Sequence, residues 1–242
     1  STTALRNAWK ERQGGRPAPL LLVAVYQDTA SVCGPSGDNP PVIPNINSSQ
    51  LERVCSTALE EPDRHSAIRF LRPALEALES PMAGLRNEGL LASNELAVWL
   101  RERKDLSDAR SKSRQILTSR DTSHNLMSAL GFEMQELPGP AAILTSESRN
   151  LALAIFLDRN ESPDTANQRF DSRSPITYAL TEADQKNLPY IIVSHGPALR
   201  IYPTNPGVGV GRRGRTETFL ELHLDTISED HLPLLWYLFS SE

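Results

Sequence analysis

The sequence contains only two cysteines, Cys33 and Cys55, and no Cys-x-x-Cys pair. Cys33 ends an apolar run and Cys55 lies within a helical pattern, which favours buried free thiols over a disulfide. The five histidines are scattered, and even His223 and His231 lack the spacing of zinc ligands. These absences argue against a disulfide-stapled secreted scaffold and against a structural zinc site.

The chain also lacks a long apolar run and an excess of positive charge. No stretch approaches the roughly 18 apolar residues that a membrane span requires, and the amphipathic N-terminus does not resemble a signal peptide. We therefore expect a cytoplasmic protein without membrane contact. The 25 basic and 30 acidic residues give a net charge of −5, which excludes a histone-like binder held by bulk charge but allows a local basic patch.

Apolar residues make up 39% of the 242-residue chain, enough for a core in one large domain or two small ones. We predict an N-terminal α+β region over residues 1–110, with a β-hairpin at 19–34. The segment 101–120 is either a helix with a thin apolar stripe or a linker, so the boundary falls near 104–112. The other expected elements are a helix at 2–12, a loop at 34–44, a helix capped by Ser48 or Ser49 with Glu52, a helix starting at Asp63 and a helix over 85–103.

The second region, residues 111–242, is predicted to be an α/β domain with a mixed central sheet flanked by helices. Its expected strands are 141–145, 151–157, 190–193, 199–202 and 219–224. Its expected helices are one capped by Asp121 or Ser123 and ended by Gly131, one starting at Pro175, and a final one capped by Ser228. The dense apolar segment 232–239 suggests that the chain is a fragment of a longer protein.

A glycine-rich basic loop lies between the last two predicted strands. The run Gly209-Val-Gly-Arg-Arg-Gly214 matches G-x-G-x-x-G, but prolines precede it and a strand pattern follows it, so a dinucleotide site is not expected. Glycines let the backbone approach a partner, and guanidinium groups pair with phosphates. The predicted DNA- or partner-binding residues of this loop are Gly209, Gly211, Arg212, Arg213, Gly214 and Arg215. The alternative is a solvated loop whose arginines contact nearby acids.

Motifs of catalysis are scarce in this chain. It has no serine-centred elbow, no P-loop and no His-Glu-x-x-His. Asp158 follows an apolar strand, where a carboxylate can hold a metal ion, although a strand-end cap is the commoner role. We therefore assign no catalytic and no metal-binding residues, and keep Asp158 only as a minor candidate.

One stretch of the second region suggests a family. Residues 180–202, with the run Asn187-Leu-Pro-Tyr-Ile-Ile-Val-Ser-His-Gly-Pro-Ala-Leu-Arg-Ile-Tyr202, resemble a helix–strand–turn–strand unit of restriction subunits and of the N-terminal regions of type IIG restriction–modification proteins. Ser194-His195-Gly196 stands where Thr-Asn-Gly is usual, which adds His195 to the candidate binding residues. Residues 85–96 and the helix end at Gly131-Phe-Glu133, followed by two strands, resemble the same proteins. The resemblance covers about residues 85–240.

The resemblance implies a nuclease-like core of the PD-(D/E)xK kind at about residues 120–225. In its active form, an acid at one strand start and a Glu-x-Lys on the next strand hold Mg²⁺ and orient water. This sequence has no acid at Ala141–Ile143 and no Glu-x-Lys within Ala152–Arg159. We therefore expect a degenerate, restriction-endonuclease-like fold without nuclease chemistry, in which Glu133 could survive as a helix acid.

The resemblance implies a non-catalytic N-terminal accessory region of a bacterial restriction–modification or phage-defence adenine-specific DNA methyltransferase. DNA and a methyltransferase domain or partner subunits are the expected partners. The chain itself would hold no cofactor, and S-adenosylmethionine would belong to a methyltransferase domain beyond Glu242. The second hypothesis is a protein–protein module that regulates a partner enzyme without nucleic acid, which the acidic balance slightly favours. The third is a divalent-metal endonuclease that uses Glu133 and Asp158.

Overall fold

The chain folds into two compact units, Ser1–Gly84 with Asp225–Ser228 and Leu85–Leu224 with Glu229–Glu242. The computed structural model describes residues 2–13, 20–35, 40–79, 82–119, 124–158, 160–210 and 213–242. The cap residues predicted at Asp121 and Ser123 lie outside this set. Within it, no helix is both long enough and apolar enough to cross a membrane.

The first unit combines a small antiparallel sheet with three helices among its described residues. In chain order, its elements are α1 Thr2–Gln13, β1 Leu22–Tyr26, β2 Thr29–Cys33, β3 Val42–Asn47, α2 Ser48–Glu60 and α3 Arg64–Glu79. The predicted hairpin is confirmed, because β1 and β2 pair from Leu22↔Cys33 to Tyr26↔Thr29. The loop prediction for residues 34–44 missed the start of β3, an edge strand that tolerates Pro44 because it pairs on one side.

Different helices pack on the two faces of this sheet. Val32 and Ile43 pack with α2 and α3 through Val54 and Leu71, while Cys33 packs with Trp9 of α1 on the other face. Because side chains alternate across a strand, adjacent β2 residues serve both cores.

Both cysteines are free, as predicted, although Cys55 is only half-buried. Burial raises the pKa of the Cys55 thiol. Burial also raises the pKa of the Cys33 thiol, and it outweighs the opposing effect of Arg6.

The second unit holds a larger sheet. In chain order, its elements are β4 Leu85–Glu88, α4 Ser93–Glu102, α5 Leu106–Ser119, α6 His124–Ala129, β5 Glu133–Glu136, β6 Ala141–Ser146, β7 Arg149–Leu157, α7 Pro175–Gln185, β8 Tyr190–His195, β9 Ala198–Pro203, β10 Phe219–His223 and α8 Pro233–Phe239. Its described strands lie in the order β4-β10-β9-β8-β7-β6-β5. β7 and β8 are parallel and joined through α7, whereas the other described neighbours are antiparallel. The predicted mixed sheet flanked by helices is therefore confirmed.

Helix α7 covers one face of the sheet at its centre. Its Ile176, Ala179 and Ala183 pack with Ile155 of β7 and Val193 of β8. The helix starts as predicted, with Pro175 in its first turn and the Ser174 hydroxyl accepting a hydrogen bond from the Thr177 amide.

The helix predicted over residues 85–103 is wrong for its first part. Leu85–Glu88 is a strand paired with β10, and Gly89 (φ +73°) separates it from α4. The compact units consequently divide after Gly84 rather than near the predicted boundary at 110/111. The cause is tertiary pairing, because β4 extends the large sheet and α5 packs against α8.

Candidate functional site

The carboxyl ends of β7 and β8 meet at one edge of the sheet, beside the start of β6. Ala141 pairs with Ile155, and Leu157 pairs with His195. This is the edge at which the resemblance puts metal-binding acids. Ala141 and Ile155 are instead buried in the apolar core beneath α7. Among the described residues there is no group of three or more histidines, cysteines or acids that could hold a metal ion.

The loop after β7 is organised around Glu161, whose side chain is 7% exposed. Its carboxylate accepts hydrogen bonds from the Asp158 amide (2.8 Å), Asn167 Nδ2 (2.7 Å) and Arg169 Nη1 (2.6 Å). Arg169 Nη1 also lies 3.2 Å from Asp158 Oδ2. The Asp158 carboxylate is therefore part of an ion-paired loop.

Glu133 and Asp158 lie at opposite ends of the sheet. Glu133 is the first residue of β5, not a helix residue, and pairs with Thr145, which in turn pairs with Asn150 near the start of β7. Asp158 follows the end of β7. The length of β7, on the order of 25 Å, separates the two positions. The structure does not bring together the two carboxylates that the endonuclease hypothesis needs.

A buried charged network that sequence reasoning missed lies across β9 and β10. Arg200 and Glu221 are directly opposite each other in the strand pairing, and Arg200 Nε donates to the Glu221 carboxylate. Arg200 Nη1 also donates to Tyr202 Oη (3.2 Å) and to Asp164 Oδ2 (3.1 Å). The signal in the sequence was one charged residue in each of two apolar strands, Arg200 among Leu199–Tyr202 and Glu221 among Phe219–Leu222.

Burial and neighbouring charges shift the pKa values of Arg200, Tyr202 and the nearby His195. Burial would lower the pKa of Arg200, but the adjacent Glu221 and Tyr202 raise it overall. Burial raises the pKa of Tyr202 to about 12, despite the opposing charge of Arg200. Burial and, secondarily, Arg200 lower the pKa of His195, so its imidazole is neutral at pH 7.

The glycine-rich loop leaves β9 at the opposite end from His195. His195 pairs with Ala198 at the start of β9, whereas the loop follows Pro203 at its end. A six-residue strand is about 17 Å long. The predicted set of binding residues is therefore divided between two ends of the sheet. Gly211 and Arg212 lie outside the described residues.

The two described glycines of the predicted site differ in their surroundings. Gly209 has φ +117°, and a Cβ added there would lie 2.6 Å from the carbonyl oxygen of Gly89. The next amide, of Val210, donates to that same oxygen at 2.6 Å. Gly214 has an ordinary φ of −68° and no atom within 4 Å of an added Cβ. Gly209 thus lets the loop lie against the end of β4.

Both described arginines of the loop contact acids of the same unit. Arg215 Nη1 donates to Asp184 Oδ1 (2.8 Å), to Asp184 Oδ2 (3.0 Å) and to the Thr204 carbonyl (2.8 Å). Arg213 Nη1 donates to Glu88 Oε2, and Arg86 Nε donates to Glu88 Oε1 at 2.9 Å. These contacts are those of the alternative interpretation, in which loop arginines pair with nearby acids.

Glu88 is the acid between two of these arginines. Burial would raise the pKa of its carboxyl, but the hydrogen bonds and charges of Arg213 and Arg86 outweigh burial and lower the pKa overall. Glu88 therefore stays ionised at neutral pH. The described part of the loop thus holds two guanidinium groups against acids of the same unit.

No protein-family model, curated protein or solved structure matches this chain.

Proposed function

We propose that this chain is a non-catalytic, DNA-contacting accessory region of a bacterial restriction–modification or phage-defence adenine-specific DNA methyltransferase, acting in the cytoplasm. Its restriction-endonuclease-like scaffold would lack nuclease chemistry. S-adenosylmethionine would belong to a methyltransferase domain of the parent protein.

The observation that carries this proposal is the apolar character of one sheet edge, where the resemblance implies ionic residues in an active nuclease. The order of elements from α6 through β6, β7, α7, β8, a turn and β9 is the one that the resemblance implies, apart from the additional strand β5. At the edge where the acids and lysine of an active nuclease are expected, β6 and β7 contribute Ala141, Ile143 and Ile155 to an apolar core. On this proposal the scaffold would contact DNA without cutting it, since this edge offers no acid cluster for Mg²⁺ among the described residues.

Contact with DNA is assigned to the loop that ends at Arg215. Arg213 is the more available of its two described arginines, because its side chain is 51% exposed, whereas Arg215 is tied to Asp184 and to the Thr204 carbonyl. Arg213 would therefore contact a DNA phosphate and Arg215 would hold the loop in position.

The proposal predicts that Arg213→Ala lowers affinity for duplex DNA roughly three- to ten-fold and reduces the dependence on salt, because one phosphate contact is lost. Fluorescence anisotropy over a salt series measures both quantities. Arg173→Ala is the matched control, since it removes one exposed arginine near the other sheet edge, before α7. Equal losses in the two variants would remove the loop from the contact, and wild-type protein without salt-sensitive binding would remove the DNA-binding role.

The same preparation tests the absence of nuclease chemistry. We expect no cleavage of plasmid in Mg²⁺ or Mn²⁺. Metal-dependent cleavage that is lost in Asp158→Ala would replace the proposal with the endonuclease hypothesis.

A second candidate function is docking of a partner protein without nucleic acid. Val98 and Trp99 of α4 are 44% and 39% exposed. The Trp99 ring contacts Tyr237 at 5.1 Å, and the Arg103 guanidinium lies over both rings. Tryptophan, tyrosine and arginine dominate the binding energy of protein interfaces. Loss of partner binding in Trp99→Ala, with DNA binding absent in the wild type, would favour this function.

A further inference from the structure

Strand β1 forms one edge of the small sheet in the first unit. Among the described residues it pairs only with β2, in a register that ends with Tyr26 opposite Thr29 at the turn. Its other side therefore presents main-chain amide and carbonyl groups that no described strand uses. Val23, Val25 and Tyr26 are 42%, 66% and 52% exposed, so apolar side chains accompany this open edge.

The other edge strands among the described residues carry features that discourage pairing with another chain. β3 contains Pro44, which has no amide hydrogen to donate, followed by Asn45 with φ +58°. β4 and β5 have only four residues each, and both carry charged side chains. Short length, proline and charge are the usual protections of a sheet edge. β1 is the five-residue strand Leu-Val-Ala-Val-Tyr and has no proline or charged residue.

The two valines of β1 continue an apolar face that helices bury elsewhere in the same sheet. Val23 lies opposite Val32 of β2, and their side chains share one face. Val25 lies opposite Ala30 and shares that face too. Val32 and Ala30 are buried in the core that β2 and β3 form with α2 and α3. The apolar surface therefore extends from this core to the open edge of β1.

The register of the hairpin decides which main-chain groups of β1 point outward. Tyr26 and Thr29 flank a two-residue turn, so they form a hydrogen-bonded pair. Because hydrogen-bonded and non-hydrogen-bonded pairs alternate along an antiparallel ladder, Ala24 also bonds to β2. The amides and carbonyls of Val23 and Val25 consequently point away from β2, to the open edge.

The strand is nearly palindromic about Ala24, with a valine on each side and a large apolar residue, Leu22 or Tyr26, at each end. We infer that β1 pairs antiparallel with β1 of a second copy of this chain, about a two-fold axis at Ala24. Val23 of one protomer then lies opposite Val25 of its partner, and the two residues exchange both main-chain hydrogen bonds. Since β1 carries no charge, the two copies meet without like-charge repulsion.

The size of this contact makes the homodimer a weak one. Five residues from each strand bury less than the roughly 1,200 Å² of the smallest stable interfaces, so we expect a dissociation constant of about 10–100 μM. The inference goes beyond the proposed function, because β1 belongs to the first unit and the loop assigned to DNA contact belongs to the second. Either can therefore fail without the other.

Sedimentation velocity of the full chain tests the dimer, over concentrations from about 5 to 500 μM that bracket the expected constant. Val25→Lys should weaken dimerisation at least about ten-fold, because a lysine on an edge strand opposes pairing. Val98→Lys is the matched control, since it makes the same substitution at a valine that is 44% exposed on α4 of the second unit, and it should change dimerisation less than about two-fold. A wild-type chain that stays monomeric, or equal effects of the two lysine substitutions, would overturn the inference.

A charge pair tests the register. Val23→Lys combined with Val25→Asp in one chain sets a lysine of each protomer opposite an aspartate of its partner. This double variant should dimerise about five-fold more tightly than either single variant at low salt, and the difference should vanish in about 1 M NaCl. A double variant that dimerises no better than the single ones would overturn the pairing about Ala24. Circular dichroism of each variant checks that a loss of dimer does not reflect unfolding.

Discussion

Gly209 and Gly214 occupy the same loop and fit the same motif, yet they meet different surroundings. Gly209 has a left-handed backbone and lies against the Gly89 carbonyl, whereas Gly214 has an extended backbone and open space around its Cα. A motif specifies residue types, but only the fold decides which glycine is required for a close approach.

Substitution of each glycine by alanine tests this difference. Gly209→Ala should lower the free energy of unfolding by about 2 kcal/mol or more, because both the backbone angle and the contact with Gly89 become strained. Gly214→Ala should change it by less than about 0.5 kcal/mol. Urea unfolding monitored by circular dichroism gives both values. Equal effects would mean that the loop does not lie against β4 in solution.

The loop arginines and the buried pair mark two limits of sequence reasoning at this scale. The sequence indicated that Arg213 and Arg215 could pair with acids, but not with which acids, because Glu88 and Asp184 are distant along the chain. A lone charged residue in each of two apolar strands marked Arg200 and Glu221, but it did not indicate burial, since alternation along a strand predicts that polar residues face water. That pair depends on β9 and β10 being neighbours.

Local sequence located the starts of α3 and α7 but not that of α8, which begins at Pro233 rather than after a Ser228 cap. The Asp63 side chain accepts from the His65 and Ser66 amides at 2.8 and 2.9 Å, as expected for a cap of α3. For α2 the predicted capping residues, Ser48 and Ser49, are wrong. Asn47 Oδ1 is the acceptor, from the amides of Ser49 (3.0 Å) and Gln50 (3.3 Å). Asparagine and serine are nearly equivalent caps, so the sequence alone could not choose between adjacent candidates.

The two candidates for the cap of α2 are distinguished by their substitution. Asn47→Ala should lower the free energy of unfolding by about 1 kcal/mol, because two amides lose their acceptor. Ser48→Ala should cost less than about 0.5 kcal/mol, since the Ser48 hydroxyl is buried without a hydrogen-bond partner among the described residues. Thermal unfolding of both variants measures the difference. A larger loss in Ser48→Ala would restore the sequence-based cap.

The short strands β4 and β5 were not predicted, for a different reason. β4 and β5 have four residues each and contain polar or charged side chains that no local pattern marks as strand. Their conformation comes from their neighbours, β10 and β6. Residues 85–103 were predicted to be one helix from the spacing of the apolar residues Leu90, Leu91, Leu96 and Trp99. Only the part that contains Leu96 and Trp99 is helical, as α4. Pairing with an existing sheet overrides weak local preference.

At the scale of the whole molecule, the first unit is assembled from segments that are far apart in the sequence. Asp225–Ser228 belongs to it, although the rest of the unit ends at Gly84. Thr57 Oγ1 donates to Asp225 Oδ2 at 2.8 Å, and Gln50 Nε2 donates to the Thr226 carbonyl at 2.9 Å. The predicted division into consecutive regions could not include such a return, because hydrophobic periodicity reports only on neighbours along the chain.

Residues Asp225–Ser228, which we call the return segment, should control the local stability of α2. Asp225→Ala removes the acceptor of Thr57 Oγ1, and loss of one such hydrogen bond costs about 1 kcal/mol. Hydrogen exchange in the full chain should therefore show amides of Ser48–Glu60 exchanging roughly five-fold faster, through local opening of the helix. Asp230→Ala is the control, since Asp230 is exposed and lies outside the return segment. Unchanged exchange in Asp225→Ala, or an equal change in both variants, would mean that residues 225–228 do not stabilise the first unit.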